Sequence, residues 1–321
     1  MSGSKFISAC IGATIGLATA WPGSVVFARD LTPPAPPPGS DIHGFVDVTF
    51  GNDYITPRGL LVTNTGLTTQ ILNGLVFDIY KNPMSYISGV SIFAGTWNDL
   101  WSKQDDPHVG SWNEFDWFFG GTVTFARAWK VSVQYLVFES PPGHFSQERN
   151  VETQLAFDDG ALTRSPLTIN PYVKWFYAVS GDSTVVVGNK GRTYDVEVGM
   201  VPRYDFKPYY RVPLAFYAPT WITVGPTSYW NRGVTGCGLD PTTSCSLSHA
   251  GVFTTGLTAR LGLDAYIPAR LGNWYVKGGF QYYYLINDSL LLAQTFTGTA
   301  SAYVNAHRDV WVGFGGLGFT F

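Results

Sequence analysis

The sequence predicts an all-β protein: a transmembrane, antiparallel, up-and-down β-barrel of about twelve strands, preceded by a cleaved signal peptide. Three observations lead to this fold class. Apolar and polar residues alternate with period two along most of the chain. The connections between the alternating segments are long and short in turn. Beyond residue 30, no apolar run approaches the ~18 residues that a membrane-spanning helix requires.

The composition indicates a surface that is poor in charge. Of 321 residues, 45% are hydrophobic, 16% are aromatic and only 13% are charged. Because a soluble domain usually carries roughly 25% charged residues, we expect much of this surface to contact something other than water. The formal net charge is −3, and no basic patch indicates nucleic-acid binding.

The amino terminus predicts export across the inner membrane. An apolar run follows Lys5 and ends before Arg29, and the small residues Val26 and Ala28 precede the expected cleavage point. A transmembrane anchor is the alternative, against which Pro22 argues. We therefore expect a signal peptide over 1–28, a proline-rich periplasmic leader over 29–41 and a barrel over 42–321.

The alternation defines the candidate strands. In "FVDVTF", for example, Val46, Val48 and Phe50 point one way and Asp47 and Thr49 point the other. We expect no helix outside the signal peptide. The candidates are 42–50, 68–80, 87–98, 112–126, 130–139, 149–158, 167–179, 192–206, 209–224, 251–266, 273–286 and 309–321.

The connections distinguish a membrane barrel from a secreted β-sandwich, an alternative that alternation alone leaves open. The odd-numbered connections are expected to be long and the even-numbered ones short, so all long loops share one end. Outer-membrane barrels have this asymmetry, with long extracellular loops and short periplasmic turns. The pattern therefore favours a barrel in the outer membrane.

The last segment, "VWVGFGGLGFTF", places Trp311, Leu317, Phe319 and Phe321 on one face. A final strand that ends on Phe321 with this alternation resembles the signal that the barrel assembly machinery reads in Gram-negative outer membranes. Closure would pair this strand with the first one and leave no open edge in lipid.

Six stretches carry a resemblance to a known family: "NDYITPRGLLVT", "AGTWND", "NEFDWFFGG", "LVFESPPG", "TINPYVKWFY" and "TYDVEVGMVPRYDF". Together they resemble the TorF-like family of predicted outer-membrane porins, from about Phe45 to Phe321. The chain departs from that family at Pro57, where an aromatic residue usually precedes Arg-Gly, and in the cysteine-bearing loop 225–250. The resemblance implies a barrel in the outer membrane and says little about its cargo.

The polar strand face is expected to line the lumen, because a Lys or Arg facing lipid near the midplane costs about 2–4 kcal/mol. A mixed-charge lumen predicts passive diffusion of small hydrophilic solutes with a slight cation preference. A lumen plugged by ion pairs is the alternative. The residues assigned to the lumen are Asp47, Asp78, Glu114, Asp116, Glu152, Asp158, Asp195, Glu197, Asp264, Lys130, Lys174, Arg203, Arg211, Arg260 and Lys277.

Two loop features add specific expectations. Arg58, in the first long loop, either folds inward to meet an anionic solute or pairs with a nearby carboxylate such as Asp53. Cys237 and Cys245 lie close together in the loop 225–250 and are expected to form a disulfide, since the exported protein reaches an oxidising compartment.

No motif predicts an enzyme, a cofactor or a metal site. The histidines His43, His108, His144, His249 and His307 lack metal-binding spacing. Glu114 and Asp116 share a strand face and could mimic a catalytic carboxylate pair, but a ladder of lumen charges explains them more simply. An outer-membrane lipase would need a Ser–His pair facing lipid near the rim, and the alternation offers none.

The tryptophans are expected to form aromatic girdles at the membrane boundary, with stacking on sugars in the lumen as the alternative. They are Trp97, Trp101, Trp112, Trp117, Trp175, Trp221 and Trp274.

The expected function is an outer-membrane channel whose partners are outer-membrane lipid, the barrel assembly machinery and small hydrophilic solutes. The alternative is a plugged barrel that acts as a receptor, adhesin or structural protein through its extracellular loops. The sequence leaves open the solute, the open or plugged state of the lumen, the oligomeric state and the role of the long loops.

Overall fold

The computed structural model describes residues 42–103, 111–143, 145–163, 165–180, 192–206, 213–230, 248–263 and 265–321. The expected signal peptide and proline-rich leader lie outside these residues, and so do Asp264, Arg211, Cys237 and Cys245. The corresponding expectations remain predictions.

Twelve antiparallel strands form a single closed barrel, which confirms the predicted fold class. Strands β7, β8 and β9 are each interrupted once and consist of two segments. The strands are β1 Ile42–Gly51, β2 Thr68–Lys81, β3 Ile87–Trp101, β4 Trp112–Phe125, β5 Trp129–Glu139, β6 Glu148–Phe157, β7 Leu167–Thr168 with Pro171–Ser180, β8 Thr193–Met200 with Arg203–Asp205, β9 Leu214–Tyr217 with Thr220–Val224, β10 Ala250–Gly262, β11 Asn273–Leu285 and β12 Asp309–Thr320.

Pairing between the first and last strands closes the ring. β1 pairs with β12 from Phe45 opposite Thr320 to Gly51 opposite Phe314. β9 completes the other side, because it pairs with both β8 and β10. An antiparallel ring of this kind has no unpaired strand edge, so its backbone can lie in lipid without exposed polar groups.

The strands place polar side chains inside the barrel and apolar side chains outside. On β6, Glu148, Asn150 and Glu152 are buried within the barrel, whereas the intervening Val151 and Leu155 point outward. Exposed apolar residues occupy outward positions on many strands, and they include Ile42, Leu75, Ile92, Phe119, Val133, Val173, Val198, Leu257, Phe280, Trp311 and Leu317. This arrangement inverts that of a water-soluble protein and fits a barrel surrounded by lipid.

The interruption of β7 differs from the continuous strand that the sequence predicts. Asn170 adopts a left-handed backbone conformation (φ 51°) and breaks the ladder. Its side-chain amide donates to Thr168 Oγ1 and to the carbonyl oxygen of Val201. The Asp159 carboxylate accepts hydrogen bonds from the backbone N–H groups of Ile169 and Asn170. These bonds satisfy the polar groups that the interruption releases.

The connection between β1 and β2 folds back into the barrel. It contains a two-stranded hairpin formed by Tyr54–Ile55 and Leu61–Thr63, and every residue of these strands is buried. We call residues 54–63 the inner hairpin. It had no counterpart among the predicted strands.

The expectation that no helix follows the signal peptide is wrong. The structure contains α1, Thr227–Trp230, and α2, Asp288–Phe296. Asn287 caps α2 by accepting a hydrogen bond from the backbone N–H of Ser289. Residues around most of α2 are buried, so the helix lacks the apolar stripe by which an amphipathic helix is recognised. Within the described parts of the chain, no helix is both long and apolar enough to span a membrane.

The two ends of the barrel differ, although less regularly than predicted. The long-loop end carries the connections 52–67, 102–111, 140–147, 181–192, 225–249 and 286–308. The short-turn end carries 82–86, 126–128, 158–166, 206–213 and 263–272. The connection 140–147 is shorter than 158–166 and 263–272, because β6 both begins and ends earlier than the alternation indicates and β10 ends earlier.

Two adjacent glycines on β11 differ in how closely the neighbouring strands approach them. A Cβ at Gly279 would lie 2.0 Å from the backbone oxygen of Leu257, whereas a Cβ at Gly278 would lie 3.6 Å from that of Phe314. We expect Gly279→Ala to lower the free energy of unfolding by about 1–3 kcal/mol. Urea titration of the refolded barrel measures this, with Gly278→Ala as the matched control. Equal stability of the two variants would contradict the expectation.

Candidate functional site

The inner hairpin fills the long-loop half of the barrel. Its turn closes through hydrogen bonds from the backbone N–H of Thr56 to the Leu60 oxygen (2.8 Å) and from Leu60 N–H to Thr56 Oγ1 (3.1 Å). Gly59 has a φ of 89°, and a Cβ there would lie 2.9 Å from Leu290 and 3.0 Å from Leu285. The tip is therefore wedged against α2 and the end of β11, and only glycine fits.

Arg58, next to Gly59, attaches the hairpin tip to the barrel wall. Its Nε donates to Asp195 Oδ1 at 2.8 Å, and its Nη2 lies 3.9 Å from Glu152 Oε2. The guanidinium carbon lies 3.8 Å from the ring centroid of Phe176. The side chain is fully buried. Arg58 thus folds inward, and its carboxylate partner is Asp195 rather than Asp53.

The charge on Arg58 persists despite burial. Burial lowers the pKa of the Arg58 guanidinium, but the nearby Asp195, Tyr229, Glu152 and Glu197 raise it, and the net pKa is raised above its ordinary value. The hairpin therefore carries a permanent positive charge into the barrel interior.

Lys174 on β7 is a second cation beside the same carboxylates. Its Nζ lies 3.3 Å from Glu197 Oε1 and 3.9 Å from Glu152 Oε2. Gln134 Nε2 donates to the other oxygen of Glu152 at 2.7 Å, and the Tyr172 hydroxyl donates to Glu197 at 2.7 Å. We call the ionic residues the latch network, and its members are Arg58, Lys174, Glu152, Asp195 and Glu197.

A second group of carboxylates lies on β3, β4 and β6, and we call Asp99, Glu114, Asp116 and Glu148 the acidic wall. All four side chains are fully buried. The Tyr54 hydroxyl of the inner hairpin donates to Glu114 at 3.4 Å. Burial and the nearby charges of the acidic wall raise the pKa of Tyr54 well above its ordinary value, so this phenol stays a donor.

The short-turn half of the lumen is more open to solvent. Lys277 Nζ and the Tyr275 hydroxyl both donate to Asp47 at 2.6 Å, and the Asp47 and Lys277 side chains are 19% and 17% exposed. His43 Nε2 lies 2.6 Å from Asp78 Oδ2, with the histidine side chain 24% exposed. We call the region around these residues the vestibule.

The structure places each described residue of the predicted lumen set on the inner face of the barrel or at its rim. Besides the contacts above, Lys130 pairs with Asp158 at 3.4 Å and Arg203 pairs with Asp205 at 3.1 Å. Arg260 stacks on the Tyr275 ring at 3.8 Å. Most of the described charged residues that were predicted to line the lumen therefore lie in ion pairs.

Sequence reasoning missed Asp99 and Glu148. Asp99 lies beyond the predicted end of β3, and Glu148 lies before the predicted start of β6, so both were assigned to loops. Their strand parity would have placed them inside, because Asp99 continues the inward series of Phe93 and Trp97. Extending each alternating segment by a few residues is the signal that could have found them.

The tryptophans divide between the two faces of the barrel. Trp112 and Trp175 are 45% and 41% exposed, as expected for a membrane-boundary girdle. Trp97 and Trp221 are instead buried inside, where Trp221 Nε1 donates to the backbone oxygen of Pro57 in the inner hairpin at 3.2 Å. For these two residues the girdle expectation is wrong.

A closed antiparallel barrel of twelve strands, with an apolar outer face and a charged interior, is a transmembrane β-barrel of the bacterial outer-membrane class. No family model matches the chain, and no curated protein matches it. The resemblance to the TorF-like porins therefore remains a prediction.

Several solved outer-membrane barrels are similar to this chain at low identity. The NanC porin is 9% identical, with 85% of this chain and 98% of that chain covered and a TM-score of 0.43. An outer-membrane channel from Pseudomonas putida F1 is 9% identical, with 87% and 94% covered and a TM-score of 0.43. The translocator domain of the autotransporter NalP from Neisseria meningitidis is 11% identical, with 88% and 89% covered and a TM-score of 0.37. These values assign no function to this chain.

Replacing Arg58 tests the attachment of the inner hairpin. Arg58→Gln leaves Asp195 buried without its cation, and breaking a buried pair typically costs about 3–5 kcal/mol. We expect residues 53–64 to lose protection from amide hydrogen exchange while the barrel strands retain theirs. Arg149→Gln is the control, since Arg149 is exposed on the barrel surface and its guanidinium donates to the side chain of Gln147. Unchanged protection of residues 53–64 in Arg58→Gln would contradict the attachment.

Proposed function

We propose that this barrel is an outer-membrane channel, without catalytic function, for passive diffusion of small hydrophilic solutes, and that the inner hairpin holds it closed in this conformation. The observation that carries the proposal is the charged contact of Arg58 with Asp195 and Glu152. If the hairpin left, the exposed wall would be ionic and would bind water readily.

The chemistry of this contact supports a removable closure. Apolar residues of similar volume often replace buried ion pairs with no loss of stability. A barrel that only had to remain filled would therefore need no Arg58, Lys174, Glu152, Asp195 or Glu197 at its centre. The ionic contact supports a hairpin that fits one position specifically and can separate into a hydrated pore.

The distribution of charge supports a slight cation preference. At the long-loop half, Asp99, Glu114 and Asp116 form no ion pair with any described Lys or Arg. A solute that passes the inner hairpin would meet this acidic wall. Once the inner hairpin leaves and water reaches these carboxylates, their ionised forms would attract cations and repel anions.

Phe321 fits a role as the assembly signal, which is part of the proposal. It is 52% exposed, and its ring covers Gly44 and stacks near Phe319. Backbone hydrogen bonds join Gly44 and Phe321 in both directions, at 2.9 and 3.0 Å. An outward aromatic at the seam of β1 and β12 is accessible to the barrel assembly machinery.

A plugged barrel acting as a receptor, adhesin or structural protein is the second candidate. It is favoured by the packing of α2 on the inner hairpin, where Leu290 lies against Gly59 and is fully buried. In this alternative the hairpin would never leave, and the connections 225–249 and 286–308 would carry the binding activity.

Removing the inner hairpin tests the channel. We expect the refolded mature barrel to show small or infrequent unit currents in a planar bilayer, and a variant with residues 54–63 replaced by a short Gly-Ser linker to show large, steady ones. Heat-modified migration on gels provides the control for folding of both proteins. Silence from a folded linker variant would favour the plugged alternative.

Charge neutralisation tests the cation preference in the same linker variant. Glu114→Gln with Asp116→Asn removes negative charge from the pore wall, so the reversal potential in a salt gradient should move toward that of a non-selective pore. Arg149→Gln, which changes an exposed outer charge, should leave the reversal potential unchanged. An unaltered reversal potential in the double variant would remove the acidic wall from the conduction path.

A further inference from the structure

Arg260 differs from the other cations of the barrel interior. The remaining inward Lys and Arg side chains in the described strands and inner hairpin each form an ion pair with a carboxylate, and they are Arg58, Lys130, Lys174, Arg203 and Lys277. Arg260 forms none with any described residue. It is half-buried, on the inner face of β10 at the short-turn half of the lumen.

The surroundings of Arg260 explain why it has no carboxylate partner among the residues that the structure describes. The nearest strand pairs are Lys277 on β11 and Ala215 on β9, neither of which is acidic. The next carboxylate on the Lys277 side is Asp47 of β1, and it already accepts hydrogen bonds from Lys277, Tyr275 and Thr49. Beyond Ala215, Asp205 pairs with Arg203. Both neighbouring carboxylates are therefore occupied.

Arg260 is nevertheless held in a defined position. Its guanidinium lies over the ring of Tyr275 at 3.8 Å from the centroid, and the Tyr275 hydroxyl is fixed by its bond to Asp47. Stacking fixes the plane of the guanidinium and leaves its edge, which carries the N–H donors, available. No described acceptor takes these donors.

We propose that Arg260, together with Lys277 on the adjacent strand, binds the carboxylate or phosphate group of a small solute in the vestibule. A planar guanidinium donates two parallel hydrogen bonds to such an oxyanion. Lys277 opposes Arg260 directly across the β10–β11 ladder. One of the three N–H donors of its ammonium goes to Asp47, and the others remain for a solute. Ala215, which opposes Arg260 on the other side, carries only a methyl group.

This anion site goes beyond the proposed channel function, because it lies in the short-turn half of the lumen, apart from the acidic wall that supports the cation preference. It rests on the proposed function only in requiring that the solute reach the lumen. The partial exposure of Asp47 and Lys277 gives access from the vestibule while the inner hairpin closes the other half. Binding is therefore expected in the closed barrel, without any conduction.

The test is equilibrium binding to the refolded mature barrel in detergent, measured by calorimetry with succinate and, separately, inorganic phosphate as probes. We expect saturable binding of at least one probe, and about a tenfold or greater weakening in Arg260→Gln, since charge-assisted hydrogen bonds are lost. Arg270→Gln is the matched control, because Arg270 is an exposed arginine in the turn 263–272 at the same end of the barrel. It should bind as the original protein does.

Arg260→Lys separates recognition from net charge. It retains the positive charge but loses the stacked planar fork, so we expect intermediate affinity and a larger loss for succinate, whose carboxylates match the fork. If Arg260→Gln fails to fold, Arg260→Lys still tests the site. Equal affinity of Arg260→Gln and Arg270→Gln, or no saturable binding of either probe by the original barrel, would overturn the proposal. Binding by the original barrel, combined with silence of the folded linker variant in the planar bilayer, would instead refute the channel and leave the site intact.

Discussion

The antiparallel bonding of β12 to β1 determines how the rest of the molecule is arranged. With the ring closed, each strand residue points either to lipid or to the interior, and the bilayer accepts almost no charge. The ionic side chains of the strands are thereby concentrated in one narrow space. Buried ionic side chains need partners of opposite charge, and the positive and negative charges of the strand residues alone do not balance. Around Lys174, the carboxylates of Glu152, Asp195 and Glu197 exceed the cations that β6, β7 and β8 supply.

The first long connection corrects this imbalance. The inner hairpin inserts Arg58 beside Asp195 and places the Tyr54 hydroxyl at Glu114. Its apolar residues, such as Leu60, fill the space between these polar contacts. A single segment thus places a cation against one group of carboxylates and a hydroxyl donor against Glu114 of the other, which explains why a loop that is polar at its tip is buried deeply.

The amino-acid sequence was sufficient to predict the barrel strands but not the segments that fill the barrel interior. Any sheet with one apolar and one polar face requires apolar and polar residues to alternate along its strands. The strands therefore lie within a few residues of their predicted limits. The inner hairpin was missed because its partners are remote: Arg58 and Asp195 are 137 positions apart. α2 was missed because its burial removes the periodic signal, and Trp97 was misassigned because composition does not reveal whether a tryptophan faces lipid or an inserted loop.

The remote partnership of Arg58 also imposes an order of events on folding. The hairpin directly follows β1 in the chain, whereas the carboxylates of β6 and β8 that hold it lie much further along the sequence. The hairpin cannot reach its final position until those strands have joined the sheet. Until the hairpin docks, the inward carboxylates of the described strands outnumber the inward Lys and Arg side chains. Docking of the hairpin is consequently a late step, and its rate depends on the ionic strength of the surrounding solution.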